Sequence, residues 1–125
     1  MSSVPDQLQY TKDHEWARVE AGVATVGITD HAQHELGDIV FVELPKVGAA
    51  VRAGESFGTI EAVKTVAELY APVDGTVTEV NADLGGDAGV INTDPYGKGW
   101  ILRIAVTGGT GELMDAASYR ALIGA

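Results

Sequence analysis

The apolar residues of this chain come in short runs, rich in valine, isoleucine and threonine and interrupted by sixteen glycines, a pattern that suits strands and tight turns rather than long helices. Glu15 to Val19 alternates in polarity, Ala21-Gly22 breaks the run and Val23 to Gly27 resumes it, which predicts a hairpin. Ile39 to Leu44 reads as a strand stopped by Pro45, whose nitrogen cannot join a ladder. Trp100 to Val106 is a further strand, and Pro72 to Gly75 reads as a Pro-x-Asp-Gly turn before an alternating strand from Thr76 to Val80. Val51 to Ile60 and Leu69 to Val80 repeat one pattern of strand, glycine turn and strand, which suits a pseudo-symmetric sandwich.

Capped helices are legible in two places. Thr29 or Asp30 can cap a short helix through Leu36, with Gly37 ending it in the left-handed conformation. Asp115 can cap a second through Leu122, with Met114 and Tyr119 forming a hydrophobic staple and Gly124 closing it, so that a small helix packs on a sheet edge. Gly108-Gly109-Thr110-Gly111 lacks the lysine of a phosphate loop and reads as a flexible turn. Ser56 to Tyr70 is ambiguous: Ile60, Val63, Ala67 and Tyr70 fall at helical spacing, and the middle, Val63-Lys64-Thr65, has none of the ordinary turn residues. Propensity leans to helix there.

The 125 residues, 46% apolar, fit one domain, 1–125, around one core. A net charge of -10 repels phosphate backbones and anionic membranes, so no nucleic acid and no membrane is expected as a partner; the acidity serves either solubility alone or steering toward basic patches on larger proteins. No apolar run approaches the roughly 18 residues of a membrane span, and Met1 to Gln9 has neither a basic nor an apolar leader region. A cytoplasmic bacterial protein is expected; a processed mitochondrial one would have the same features. With no cysteine, thiolate catalysis and disulfides are excluded, and sulfur redox chemistry must come from a cofactor.

His31 and His34, on one helical turn with Glu35, are weak evidence for a metal and read as a surface helix, so no metal site is assigned. His14 has no assignable partner for general-base work and reads as a histidine packed beside Trp16. No nucleophile with a paired base is visible, so an enzyme acting alone is not expected.

Five strings carry a resemblance that runs from Leu8 to Leu122: YTKDHEW at Tyr10 to Trp16, VGITDHAQ at Val26 to Gln33, LGDIVFVELPKVG at Leu36 to Gly48, EAVKTVAELYAPVDGTVTEVN at Glu61 to Asn81, and DPYGKGW at Asp94 to Trp100. They resemble the H protein of the glycine cleavage system. The resemblance implies a mostly β, lipoyl-domain-like barrel-sandwich hybrid with short helices, one of them C-terminal. It places Lys64 at a hairpin tip, overruling the helical leaning, and makes it the attachment point of covalent lipoate. Biotin carriers usually flank their lysine with methionines, and acyltransferase lipoyl domains put an acid before it; Val63 and Thr65 fit neither. Ala62 and Ala67 stand where small hydroxyl residues are common in the family, and Glu68 where Asp is also found.

The implied function is that of a shuttle rather than an enzyme. A lipoyl-attaching enzyme modifies Lys64, a pyridoxal-phosphate glycine decarboxylase (P protein) loads an aminomethyl group onto one sulfur, an aminomethyltransferase (T protein) removes it, and a dihydrolipoyl dehydrogenase (L protein) reoxidises the dithiol. The cationic, hydrolysable cargo is expected to rest against acids, Glu15 foremost, with Asp13 and Glu68. The alternatives are a lipoyl donor or relay for other lipoylated complexes, and an unmodified interaction module.

Overall fold

The computed structural model describes residues 3–110 and 113–124. Among the described residues nine strands form two antiparallel sheets. They are β1 (Gln9–Tyr10), β2 (Glu15–Glu20), β3 (Val23–Ile28), β4 (Ile39–Glu43), β5 (Ala50–Val51), β6 (Ser56–Ala62), β7 (Val66–Tyr70), β8 (Val73–Val80) and β9 (Leu102–Thr110). The larger sheet runs β1-β2-β3-β9-β8-β5 and the smaller β4-β6-β7, so the halves are unequal in strand number. Helices α1 (Asp30–Leu36), α2 (Val90–Thr93) and α3 (Ala116–Ile123) join them, with a 3-10 turn at Ala82–Gly85. Ile28, Ile39, Ile60, Leu69, Val77 and Ile104 belong to the buried core cluster.

Local chemistry explains most boundaries. The β2–β3 turn has Ala21 at φ 51° and Gly22 at φ 79°, the double positive φ that matches strand twist. Trp16 pairs with Gly27 across these strands, where a Cβ would lie 2.7 Å from the indole; glycine is what lets the ring lie flat. Thr29 caps α1 by accepting from the Ala32 N–H, and Asp115 caps α3 by accepting from Ser118. Gly124 is left-handed (φ 75°, ψ 26°) as anticipated, whereas Gly37 has positive φ but extended ψ (80°, −155°), another region open chiefly to glycine. Met114 packs with Tyr119 in a second cluster, under which α3 meets the edge strand β1.

Three expectations are corrected. Ser56 to Tyr70 is not helical: β6 and β7 pair from Ser56↔Tyr70 to Glu61↔Val66, and β6 also pairs with β4. A helix would bury Val63 with Ile60, but Val63 is 76% exposed while Ile60 and Leu69 are buried, so long-range pairing overrides propensity. Pro72 to Gly75 is not a tight turn, because β8 begins at Val73, Asp74 accepts from the Ala53 N–H (2.8 Å), and Gly75 permits a close approach in which a Cβ would meet the Ala105 carbonyl at 2.1 Å. Gly108 to Thr110 belongs to β9 rather than to a flexible turn, with Thr110 opposite Val73; Gly111 lies outside the described residues. Strand ends also differ from expectation: β2 and β3 each run one residue further, to Glu20 and Ile28, β4 stops at Glu43, and β9 runs from Leu102 to Thr110.

Candidate functional site

Lys64 sits at the tip of the β6–β7 hairpin and is the hairpin's one basic residue. The Ala62 N–H donates to the Thr65 carbonyl (2.8 Å), leaving Val63-Lys64 as a two-residue connection without positive φ, unlike the glycine-rich turns usual in hairpins. The tip is held from outside instead. The Val63 N–H donates to the Asp38 carbonyl (2.9 Å), and the Lys64 stem lies over Gly37, where a Cβ would stand 3.4 Å from Cε.

The segment under the tip is clamped by Asn92 of α2. Its Nδ2 donates to the Gly37 carbonyl (2.8 Å) and to Gln33 Oε1 (3.1 Å), and its Oδ1 accepts from the Ile39 N–H (2.9 Å). Asn92→Ala leaves two backbone groups unpaired. We expect it to cost about 2 kcal/mol of stability in urea melts.

A cleft of about 160 Å³ opens between α1, the Thr11–Glu15 loop and the body of the β6–β7 hairpin at Ile60 and Ala67 to Leu69. Its floor is apolar, with Ile28, Ala32, Leu36 and Ile60, and its walls carry Asp13, Glu15, Glu35 and Glu68. The three acids singled out in the sequence are therefore brought together in one cleft. Lys64 stands at the C-terminal end of α1, a seven-residue helix roughly 10 Å long whose Ala32, Glu35 and Leu36 line the cleft. A second cleft, of about 460 Å³, lies beyond Glu15 and does not touch α1.

Glu15 is 2% exposed. Thr11 Oγ1 donates to one oxygen (2.7 Å) and the Tyr70 N–H to the other (3.3 Å), which ties the loop to the hairpin. Burial pushes its pKa up to about 8 against these two hydrogen bonds, so it is mainly uncharged at neutral pH.

Glu35 and His14 also line the cleft, and sequence reasoning did not place them there. Glu35 has no local signal, since its side of a two-turn helix is decided by packing. His14 is not packed on Trp16 as anticipated: its backbone turns to φ 71° and its ring meets His31 (4.8 Å between centroids) and Tyr119. His31 and His34 face different carboxylates, Glu35 at 3.6 Å and Asp30 at 3.5 Å. Among the described residues no three side chains of ligand type are grouped to hold a metal ion. No helix there is long and apolar enough to cross a membrane.

Two unequal antiparallel sheets with a lysine at the tip of a hairpin define the class: a lipoyl-domain-like barrel-sandwich hybrid. Residues 8–124 match the family model described as glycine cleavage H-protein, and the chain belongs to that family. It is 61% identical over 107 residues to the glycine cleavage system H protein of Rubrobacter xylanophilus, covering 86% of this chain and 85% of that one. The Chlorobium limicola H protein is 56% identical with 98% of each chain covered. The crystal structure of a glycine cleavage system H protein from Mycobacterium marinum superposes with a TM-score of 0.94 at 44% identity, covering 98% of this chain and all of that one.

Proposed function

We propose that the chain is a lipoylated carrier that moves an aminomethyl group from glycine decarboxylase to aminomethyltransferase and electrons to dihydrolipoyl dehydrogenase, with lipoate in amide linkage to Lys64. The observation that supports this reading best is the placement of Lys64: an exposed amine on a braced tip, its stem over Gly37 at the end of α1, the helix whose Ala32, Glu35 and Leu36 line a cleft with an apolar floor and acidic walls. These residues suit lipoate, since the floor matches a hydrocarbon arm and the acids match a cationic cargo. When attached, lipoate supplies a sulfur that takes the aminomethyl group and a dithiol that carries electrons.

The chain's own residues hold and shield. The tip keeps the amine at a fixed point, and the arm raises the local concentration of its end at each partner's site. Ile28, Ala32, Leu36 and Ile60 cover the arm and keep water away. Glu15, uncharged at rest, releases its proton when a cation settles beside it, and the resulting buried carboxylate pairs with that cation more strongly than an exposed one would. Asp13 and Glu68 add to the negative field of the walls.

The test is reconstitution. The lipoylated chain with glycine decarboxylase alone should support exchange of labelled bicarbonate into glycine, and ammonia release should require aminomethyltransferase as well. A lipoylated chain that supports neither reaction, yet restores lipoyl groups to oxo-acid dehydrogenases, would support the donor reading instead.

A further inference from the structure

We propose that Tyr119, reaching in from the C-terminal helix, fixes His14 as a neutral ring with its proton on Nε2, and so keeps a competing cation out of the acid-walled cleft. The role of the cleft rests on the carrier reading above; the tautomer does not.

Counting protons sets the direction of the hydrogen-bonded chain. Thr29 is wholly buried, its Oγ1 accepts from the Ala32 N–H (3.1 Å), and it lies 2.7 Å from the Tyr119 hydroxyl. Of the two hydrogen-bond partners of Thr29 Oγ1 among the described residues, the Ala32 N–H can only donate, so the Thr29 proton goes to the Tyr119 hydroxyl. The Tyr119 proton is then free for His14 Nδ1, at 2.8 Å, which must offer a lone pair. The ring's proton is left on Nε2. The opposite order, His14 to Tyr119 to Thr29, strands a buried hydroxyl proton and is disfavoured by roughly tenfold or more.

Protonation of His14 meets the same obstacle, because an N–H at Nδ1 would face a hydroxyl that has to reverse. The groups around the ring act on it in both directions. Burial and His31 lower its pKa, while Asp13 on its own loop and Glu35 on α1 raise it; Glu15 of β2 and Glu68 of β7 line the same cleft. The phenol is firmly placed, stacked on Tyr10 at 4.6 Å and edge-on to the imidazole at 5.8 Å. His14 accepts a positive φ to make this contact. A charged His14 would pair with Asp13 or Glu35 and leave less negative charge for the cargo on the arm. Tyr119 is in this sense a positioning residue, acting on the cleft through His14.

Nitrogen-15 NMR of the histidines in the full chain tests this. In the wild type His14 should show a protonated Nε2 and an unprotonated, hydrogen-bonded Nδ1 at pH 7, and should titrate below the ordinary histidine range. Tyr119→Phe removes the donor and should raise the His14 pKa by about one unit, a tenfold change in protonation. At pH 6 the variant's loaded arm should lose its aminomethyl group several-fold faster than the wild type's, with the two equal at pH 8. A wild-type proton on Nδ1, or an unmoved titration in the variant, would overturn the relay. Equal loss at pH 6 despite the shifted titration would overturn the exclusion of the cation. If the variant does not fold, the wild-type tautomer decides the relay alone. A chain that cannot be loaded would count against the carrier reading and leave the NMR result standing.

Discussion

A chain carrying Lys64→Arg should fold as the wild type does and yet come out of lipoate-supplied cells with no added mass and no capacity to support glycine cleavage. Arginine keeps the positive charge and a stem of similar length over Gly37, so the tip loses little. The Val63–Asp38 and Ala62–Thr65 hydrogen bonds are made by backbone and survive. What is lost is the amine: a guanidinium stays charged and delocalised at any working pH and does not form the amide. Stability in urea should change by no more than about 0.5 kcal/mol, as for an exposed site, while carrier activity falls below detection. Residual activity with arginine at this position would move the attachment elsewhere on the chain.

The second large effect is expected at Glu15, where stability and function pull in opposite directions. Its folded pKa of about 8 lies above the ordinary value of 4.5, so between these pH values the folded chain holds a proton that the unfolded chain releases. The sign follows: the contribution is fully present below about 4.5, declines as pH rises and is gone above about 8, where a carboxylate is buried with two donors only. Glu15→Gln keeps the shape and removes the titration. At pH 9 the variant should be a few kcal/mol more stable than the wild type, at about 1.4 kcal/mol per pKa unit, and at pH 4.5 the two should nearly coincide. The loaded arm should fare worse. The substituted amide cannot become an anion when the cargo arrives, and loss of the aminomethyl group should be at least roughly tenfold faster. Urea melts at the two pH values and timed loss of the cargo check both halves. An unchanged rate of loss would remove Glu15 from the shielding of the cargo, whatever the melts show.

Local chemistry was the legible part of the sequence. The Ala21-Gly22 turn, the caps at Thr29 and Asp115 and the closing Gly124 follow from residues within a turn of one another, and they are where the chain puts them. The β6–β7 hairpin is different. Its tip has no turn residue because Asp38 and Gly37, on a separate segment before β4, hold it in place, and only the family resemblance overrode the helical spacing of Ile60, Val63 and Ala67. Gly75 and Gly108 misled for a related reason. They permit close approaches inside the paired strands β8 and β9, and nothing in the sequence separates such a glycine from one in a turn. Asp13, Glu15 and Glu68 came from the resemblance, since the Tyr70–Glu15 contact that joins their segments spans 55 residues. His14 and Tyr119 are farther apart, 105 residues, and no local pattern links them.

The most direct test of the carrier reading is the intact mass of the protein purified from lipoate-replete cells, followed by peptide mapping across Glu61 to Tyr70. One lipoyl group, confined to Lys64, is the expected result. An unmodified chain under those conditions, or a lipoyl group on Lys12, Lys46 or Lys98, would contradict it.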